Sequence, residues 1–276
     1  MAVVETERDG AVMIIRMNRT ERMNALGTEM RAELAAAFSE FQASKELEVA
    51  IYTGTGRAFC AGEDMKETVE RGTTNAAPGV VNQVDPYQNG KLEKPVIAAI
   101  NGFAMGGGFM QAERADLRVA VKGAVFEMSE AKRWLLGGYN HGFIGGISHA
   151  VATEMAFAYR FTSERLYELG WINRLVEEDE LIPEAKKMAA HLMTLPPASR
   201  VNTLLMMRTM RPRVSEEIIE LAAKLNNHGA RSDLMESRQA FAEKRTPNFK
   251  GWVDPEDRYR TPTLEDVRRE RGGSPK

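Results

Sequence analysis

Lys94-Pro95-Val96-Ile97-Ala98-Ala99-Ile100-Asn101-Gly102-Phe103-Ala104-Met105-Gly106-Gly107-Gly108 is the stretch on which the fold turns. The apolar run bounded by Pro95 and Asn101-Gly102 reads as a buried strand. Three consecutive glycines then bring bare backbone close to whatever lies above the strand end. Phe109-Met110-Gln111-Ala112 can start a helix, whose first N–H groups lack intrahelical acceptors and sit at the positive end of its dipole. That geometry suits an oxyanion, although the same glycines also serve as a plain strand-to-helix turn. The run has neither the G-x-G-x-x-G of a dinucleotide fingerprint nor the terminal Gly-Lys-Ser/Thr of a phosphate loop.

Outward from this stretch, strands and helices alternate in an α/β order. Residues 3–7 and 11–17 flank Asp9-Gly10 as a hairpin. Met30, Leu34, Ala37, Phe38 and Phe41 recur at helical spacing from Thr28, with Glu29, Arg31, Glu33 and Glu40 left for water. Residues 49–53 form the next strand, and Ala58-Phe59-Cys60-Ala61-Gly62-Glu63-Asp64 leads into a short helix near Met65. Residues 72–93, interrupted by glycines and prolines, read as a mobile surface segment, either a lid over a site or an insertion. Strands follow at 116–121 and 124–126, and 137–146 is a second glycine-rich loop. The chain then turns helical at 154–159, 163–169, 179–193, 197–210 and 215–245. Met188, Met193, Met206, Met207 and Met210 fall at helical spacings that indicate core packing rather than a metal site. The tail after Trp252 alternates charge with proline and is expected on the surface.

Composition narrows the function classes. The 276 residues suffice for a substantial core in one large domain, or a domain with an appendage. A net charge of −2 offers no electrostatic footprint for nucleic acid. The single cysteine, Cys60, excludes an internal disulfide framework and fits a reducing compartment. No apolar run approaches the roughly 18 residues needed to span a bilayer. Met1-Ala2-Val3-Val4-Glu5 lacks a basic segment followed by an apolar one, so a soluble cytoplasmic protein is expected.

Four segments taken together, in this order and spacing, resemble the crotonase (enoyl-CoA hydratase/isomerase) superfamily over residues 3–252. They are Asn18-Arg19 with Asn24-Ala25-Leu26; Gly54-x-Gly56-Arg57 through Gly62-x-Asp64; the stretch 94–108; and Leu169-Gly170-Trp171-Ile172-Asn173-Arg174-Leu175-Val176. The resemblance implies an α/β core of repeated ββα units over residues 1–195, a helical trimerisation region at 196–252 and a surface tail at 253–276. It implies an acyl-CoA thioester as ligand, with coenzyme A carried by the substrate, and neither a metal nor a further cofactor. It also implies a homotrimer or dimer of trimers formed through helices after residue 154. The apolar cluster Leu204, Leu205, Met206 and Met207 fits that interface or an internal core.

By the same resemblance, the N–H groups of Glu63 and Gly107 hold the thioester oxygen, with Ala61, Gly62, Asp64, Gly106, Gly108, Met110, Tyr139 and His141 around the acyl group. Arg22, Lys66, Phe249 and Lys250 are implied to meet the CoA portion. Hydratases of the family carry a glutamate two residues after the last of the glycines, where this chain has Met110. A second family glutamate matches Glu130 in Phe126-x-x-Ser129-Glu130. That makes Glu130 the acid/base candidate, against the alternative of a solvated helix-start carboxylate. The Glu63 side chain either points to solvent or adds a carboxylate to the site. Glu113, at i+3 from Met110, is a distant stand-in for the missing group. His141, in a loop that departs from the family pattern by an apparent insertion, is either a second acid/base or a structural hydrogen-bonding group. Double-bond isomerisation is the expected reaction, with hydration and non-catalytic acyl-CoA binding as alternatives.

Overall fold

The computed structural model describes residues 2–71, 85–133, 136, 138–142 and 146–272. β1 (Val4–Asp9) and β2 (Val12–Met17) pair antiparallel around Gly10. Three strand pairs follow: β3 (Val49–Gly54) with β4 (Ala58–Cys60), β5 (Val96–Ile100) with β6 (Phe103–Met105), and β7 (Leu117–Val121) with β8 (Val125–Glu127). β9 (Arg160–Thr162) and β10 (Arg174–Val176) complete the set.

In every pair the first strand joins a six-stranded sheet ordered β1-β2-β3-β5-β7-β10. The second strand joins a four-stranded sheet ordered β4-β6-β8-β9. Each short turn therefore hands the chain from one sheet to the other. β3 and β5 are buried at every position, as strands covered on both faces must be, which is why they read as unbroken apolar runs.

The helices are α1 (Thr28–Ala43), α2 (Met65–Arg71), α3 (Gly107–Arg114), α4 (His149–Ala156), α5 (Ser163–Glu168), α6 (Leu181–Thr194), α7 (Pro197–Thr209), α8 (Glu216–Leu225), α9 (Ser232–Glu243) and α10 (Leu264–Glu270). α2 and α3 each start just past the end of a strand of the smaller sheet. α6 covers β3, β5 and β7. None of the helices among the described residues is long and apolar enough to cross a membrane.

Several expectations need correction. Of the segment 72–93, residues 72–84 lie outside the described residues, and the remainder is packed rather than patternless. Tyr87 is buried, stacks on Phe38 with ring centroids 4.4 Å apart, and donates its hydroxyl hydrogen to the Gln111 carbonyl. A single aromatic anchor in a glycine-rich run has no period to reveal it. The helix expected over 154–159 is α4, which begins earlier and ends before Ala158, a residue in the left-handed region at φ 60°. The helix expected over 215–245 is two, α8 and α9, with Gly229 at φ 119° between them.

The tail is not merely superficial. A capping box of Thr263 and Asp266 starts α10, Val267 is buried, and Arg268–Glu217 and Lys224–Glu270 pairs at 2.9 and 2.6 Å tie α10 to α8. The methionines also divide. Met188 packs against the core, whereas Met206, Met207 and Met210 are exposed together with Leu205 and leave α7 with an uncovered apolar face.

Candidate active site

The site is assembled from the loop after β4 and the start of α3. Asn24 fixes the first of these from below: its amide donates to the carbonyls of Ala58 at 2.8 Å and Thr55 at 3.0 Å. Ala61 N–H donates to the Met23 carbonyl, and Leu26 N–H to that of Gly62. Asp64 accepts from the N–H groups of Lys66 and Glu67, capping α2, and from Arg19 at 2.9 Å. The Asn18–Leu26 motif thus serves as a backing plate for the loop that carries Glu63.

Gly62 adopts φ 85° and lies so near the second loop that a Cβ there would fall 2.6 Å from the Met105 carbonyl oxygen and 3.1 Å from Gly107 N. Conversely, a Cβ on Gly107 would lie 3.9 Å from Glu63 N. The peptides bearing the Glu63 and Gly107 N–H groups are therefore neighbours. Among the described residues neither N–H has an acceptor, as expected for a group preceding a helix and one in its first turn.

Both peptides line a cleft of about 490 Å³. Ala61, Gly62, Asp64, Gly106 and Glu130 share its wall, as do Arg22 and Lys66. The other sequence-selected residues stand apart. Gly108 faces β4, where a Cβ would meet the Cys60 carbonyl at 2.0 Å, so it serves packing. Met110 packs against the core and Tyr139 is partly exposed. Phe249 is exposed, and Lys250 N–H donates to Asp233. His141 is held by Glu113, Nδ1 to Oε2 at 2.6 Å, while Gly142 N–H donates to the other oxygen at 2.7 Å. Both Glu113 oxygens are thus engaged by the 138–142 loop, a partnership that its helical spacing from Met110 does not reveal.

Sequence reading missed Arg133, Arg160, Phe241 and Arg238, the first three on the cleft wall and the last against one of its carboxylates. Only Arg133 had a local cue, as a cation three residues after Glu130. The others come from distant elements and carry no motif.

Of the glutamates on the cleft wall, Glu130, Glu127 and Glu63 differ by environment. Burial pushes the Glu130 carboxyl above the usual 4.5, its own N–H and His141 pull it partly back, and the charges of Glu127 and Glu63 push it up further. It rests against the glycine turn, Oε1 being 3.4 Å from where a Cβ on Gly106 would lie, and its Oε2 is buried without a partner among the described residues. Glu127 is neutralised by Arg160 at 2.8 Å and Lys132 at 3.1 Å. Glu63 does not point to solvent: it accepts from Thr68 Oγ1 at 2.9 Å and lies 3.7 Å from the buried Arg238 guanidinium. Glu130 is thus the one of these three with no cation within ion-pair distance among the described residues. Among the described residues no cluster of His, Cys, Asp or Glu could hold a metal ion.

The enoyl-CoA hydratase/isomerase family model matches residues 7–252. The chain is 32% identical to a mevalonyl-coenzyme A hydratase of Aspergillus fumigatus over 87% of this chain and 91% of that one. It is 28% identical to a 1,2-epoxyphenylacetyl-CoA isomerase of Escherichia coli over 91% and 99%. Among solved structures, a carnitinyl-CoA hydratase from Mycobacterium avium superposes with a TM-score of 0.77 at 27% identity, over 91% of this chain and 99% of that one.

The raised Glu130 carboxyl carries a stability signature. At about pH 4 and below, folded and unfolded states are both largely protonated and the group contributes little. As pH rises through 4.5 the unfolded chain ionises while the folded carboxyl resists, so the folded state loses stability relative to a chain without the group. Glu130→Gln should therefore raise the urea midpoint at about pH 8, with the gain shrinking toward zero at about pH 4. A gain that does not vary with pH would contradict the burial of an unpaired carboxyl.

Proposed function

The chain belongs to the enoyl-CoA hydratase/isomerase family, and on that premise we propose that it isomerises a double bond in an acyl-CoA thioester through Glu130. The thioester oxygen lies between the N–H groups of Glu63 and Gly107. Ionised Glu130 takes a proton from C2 of a 3-enoyl thioester. The electron pair moves onto the thioester oxygen, where the two donors stabilise it, and the same carboxyl returns the proton at C4 to leave a 2-enoyl product. Each oxyanion donor of this kind contributes about a hundredfold or more in rate. A carboxyl raised by burial is a stronger base once ionised and a usable acid once protonated, which a shuttle needs in both directions.

The observation that supports this reading most directly is the convergence on one cleft of two N–H groups without acceptors and a buried carboxyl with a free oxygen. A protein that only binds acyl-CoA needs the donors but gains nothing from burying an unpaired carboxyl, a costly arrangement. Hydration is the second reading. It needs a water held between two carboxylates, and Glu63, on the cleft wall, is a candidate second group where Met110 cannot serve.

Glu130→Gln should lower kcat by about two to four orders of magnitude with little change in acyl-CoA affinity. The product's mass decides between the readings: unchanged for isomerisation, increased by one water for hydration. Full activity in the variant would place the proton carrier elsewhere.

The exposed apolar face of α7 supports self-association, as a trimer or a pair of trimers. Light scattering at micromolar concentration should give a multiple of the chain mass. Introducing charge at Leu205 and Met206 should reduce it, and a monomeric parent protein would refute the proposal.

A further inference from the structure

Four cations line the cleft: Arg22, Lys66, Arg133 and Arg160. Arg160 is paired with Glu127, and Arg22 lies 3.9 Å from Asp64 and 4.0 Å from Glu70. Lys66 is the second residue of α2, beside the loop that bears the Glu63 donor. Lys66 is exposed and, like Arg133, has no carboxylate within ion-pair distance among the described residues. Arg133 differs in being half-buried, with its guanidinium carbon over the Phe241 ring at 4.3 Å from the centroid. Stacking fixes the plane of a guanidinium while leaving its edge donors open, the geometry that matches a carboxylate fork to fork.

A second observation lies beside it. Arg238 precedes Phe241 by three residues on α9, so the two share a face. Arg238 is fully buried, yet its Nε and Nη2 have no acceptor, since Glu63 at 3.7 Å is beyond hydrogen-bond reach. Donors therefore outnumber acceptors at this end of the cleft. Glu127 is used by Arg160 and Lys132, and Glu63 faces Arg238. Burial and the neighbouring Arg238 charge both bear against the Arg133 cation, with only Glu127 in its favour.

We propose that the acyl group taken by this cleft carries a carboxylate at its far end, bound by Arg133, so that the preferred substrates are CoA thioesters of dicarboxylic acids. This rests on the reading of the cleft as an acyl-CoA site. With the thioester oxygen at Glu63 and Gly107 and C2 facing Glu130, the chain beyond C2 is the part of the ligand that reaches Arg133, one turn on, where its N–H donates to the Glu130 carbonyl at 2.8 Å. A terminal carboxylate there supplies the acceptor that the guanidinium lacks. The Phe241 ring covers the aliphatic part.

The test is calorimetric titration with saturated thioesters, which have no double bond to move, so that binding is read without turnover. Adipoyl-CoA and hexanoyl-CoA differ only at the chain end, and hexanoyl-3′-dephospho-CoA removes the CoA 3′-phosphate while keeping its diphosphate. The parent protein should bind adipoyl-CoA about 10- to 100-fold more tightly than hexanoyl-CoA. Arg133→Met should bring that ratio near one, and Arg133→Lys, which keeps the charge, should retain part of it. Equal affinities in the parent protein overturn the proposal. So does an equal Arg133→Met loss with adipoyl-CoA and hexanoyl-CoA, because the cation then serves a CoA phosphate: the 3′-phosphate if the loss is absent with the dephospho ligand, the diphosphate if it persists there. Binding of none of the three would instead overturn the acyl-CoA reading beneath it.

Discussion

There is no room for a methyl group between the loop that leaves β4 and the start of α3, and the site depends on that constraint. A Cβ on Gly62 would fall 2.6 Å from the Met105 carbonyl oxygen, and one on Gly108 would fall 2.0 Å from that of Cys60. The contact is set by the two-sheet architecture. Parallel pairing of β4 with β6 aligns their ends, so the chain leaves both strands at the same edge and both helices begin there. Side chains larger than hydrogen would separate the loops and move one N–H away from the other. The Asn24 amide, bonded to the Ala58 and Thr55 carbonyls, and the Asp64 cap hold the first loop against this contact. In the wall of the cleft, backbone geometry accordingly matters more than side-chain identity at these positions.

Charge is sorted around that backbone frame. Glu127 and Glu63 meet guanidinium or ammonium groups, whereas Glu130 is buried with His141 as its one favourable charge and Glu127 and Glu63 as like charges. Like charges near a buried carboxyl raise its proton affinity, so Glu127 and Glu63 are part of what sets the Glu130 carboxyl above its usual range. The same sorting leaves Arg133 with an aromatic ring and no anion.

The fold was legible because its signals are local. The glycine run, the apolar strands and the Asn18–Leu26 motif each lie within a few residues of sequence, and their spacing brought out the family resemblance. The site was legible where backbone carries it: Ala61, Gly62, Glu63, Gly106 and Gly107 share one cleft, and Glu130 joins them. What escaped was long-range. The Glu63 carboxylate faces Arg238, 175 positions later, and the Glu113 carboxylate is taken by a loop 28 residues away. Tyr87 anchors a segment whose composition reads as loop. The capping box of α10 was a local signal that a charge-rich tail obscured.

The central claim is that two N–H groups polarise the carbonyl of a bound thioester. The ¹³C chemical shift of that carbonyl, in a carbonyl-labelled saturated acyl-CoA bound to the protein, reads this directly. Two donors on one oxygen withdraw electron density from the carbon more strongly than bulk water does. The account predicts a resonance downfield of its position in water. A bound resonance at or upfield of the aqueous position would contradict it, because the oxygen would then lie outside the Glu63 and Gly107 donors.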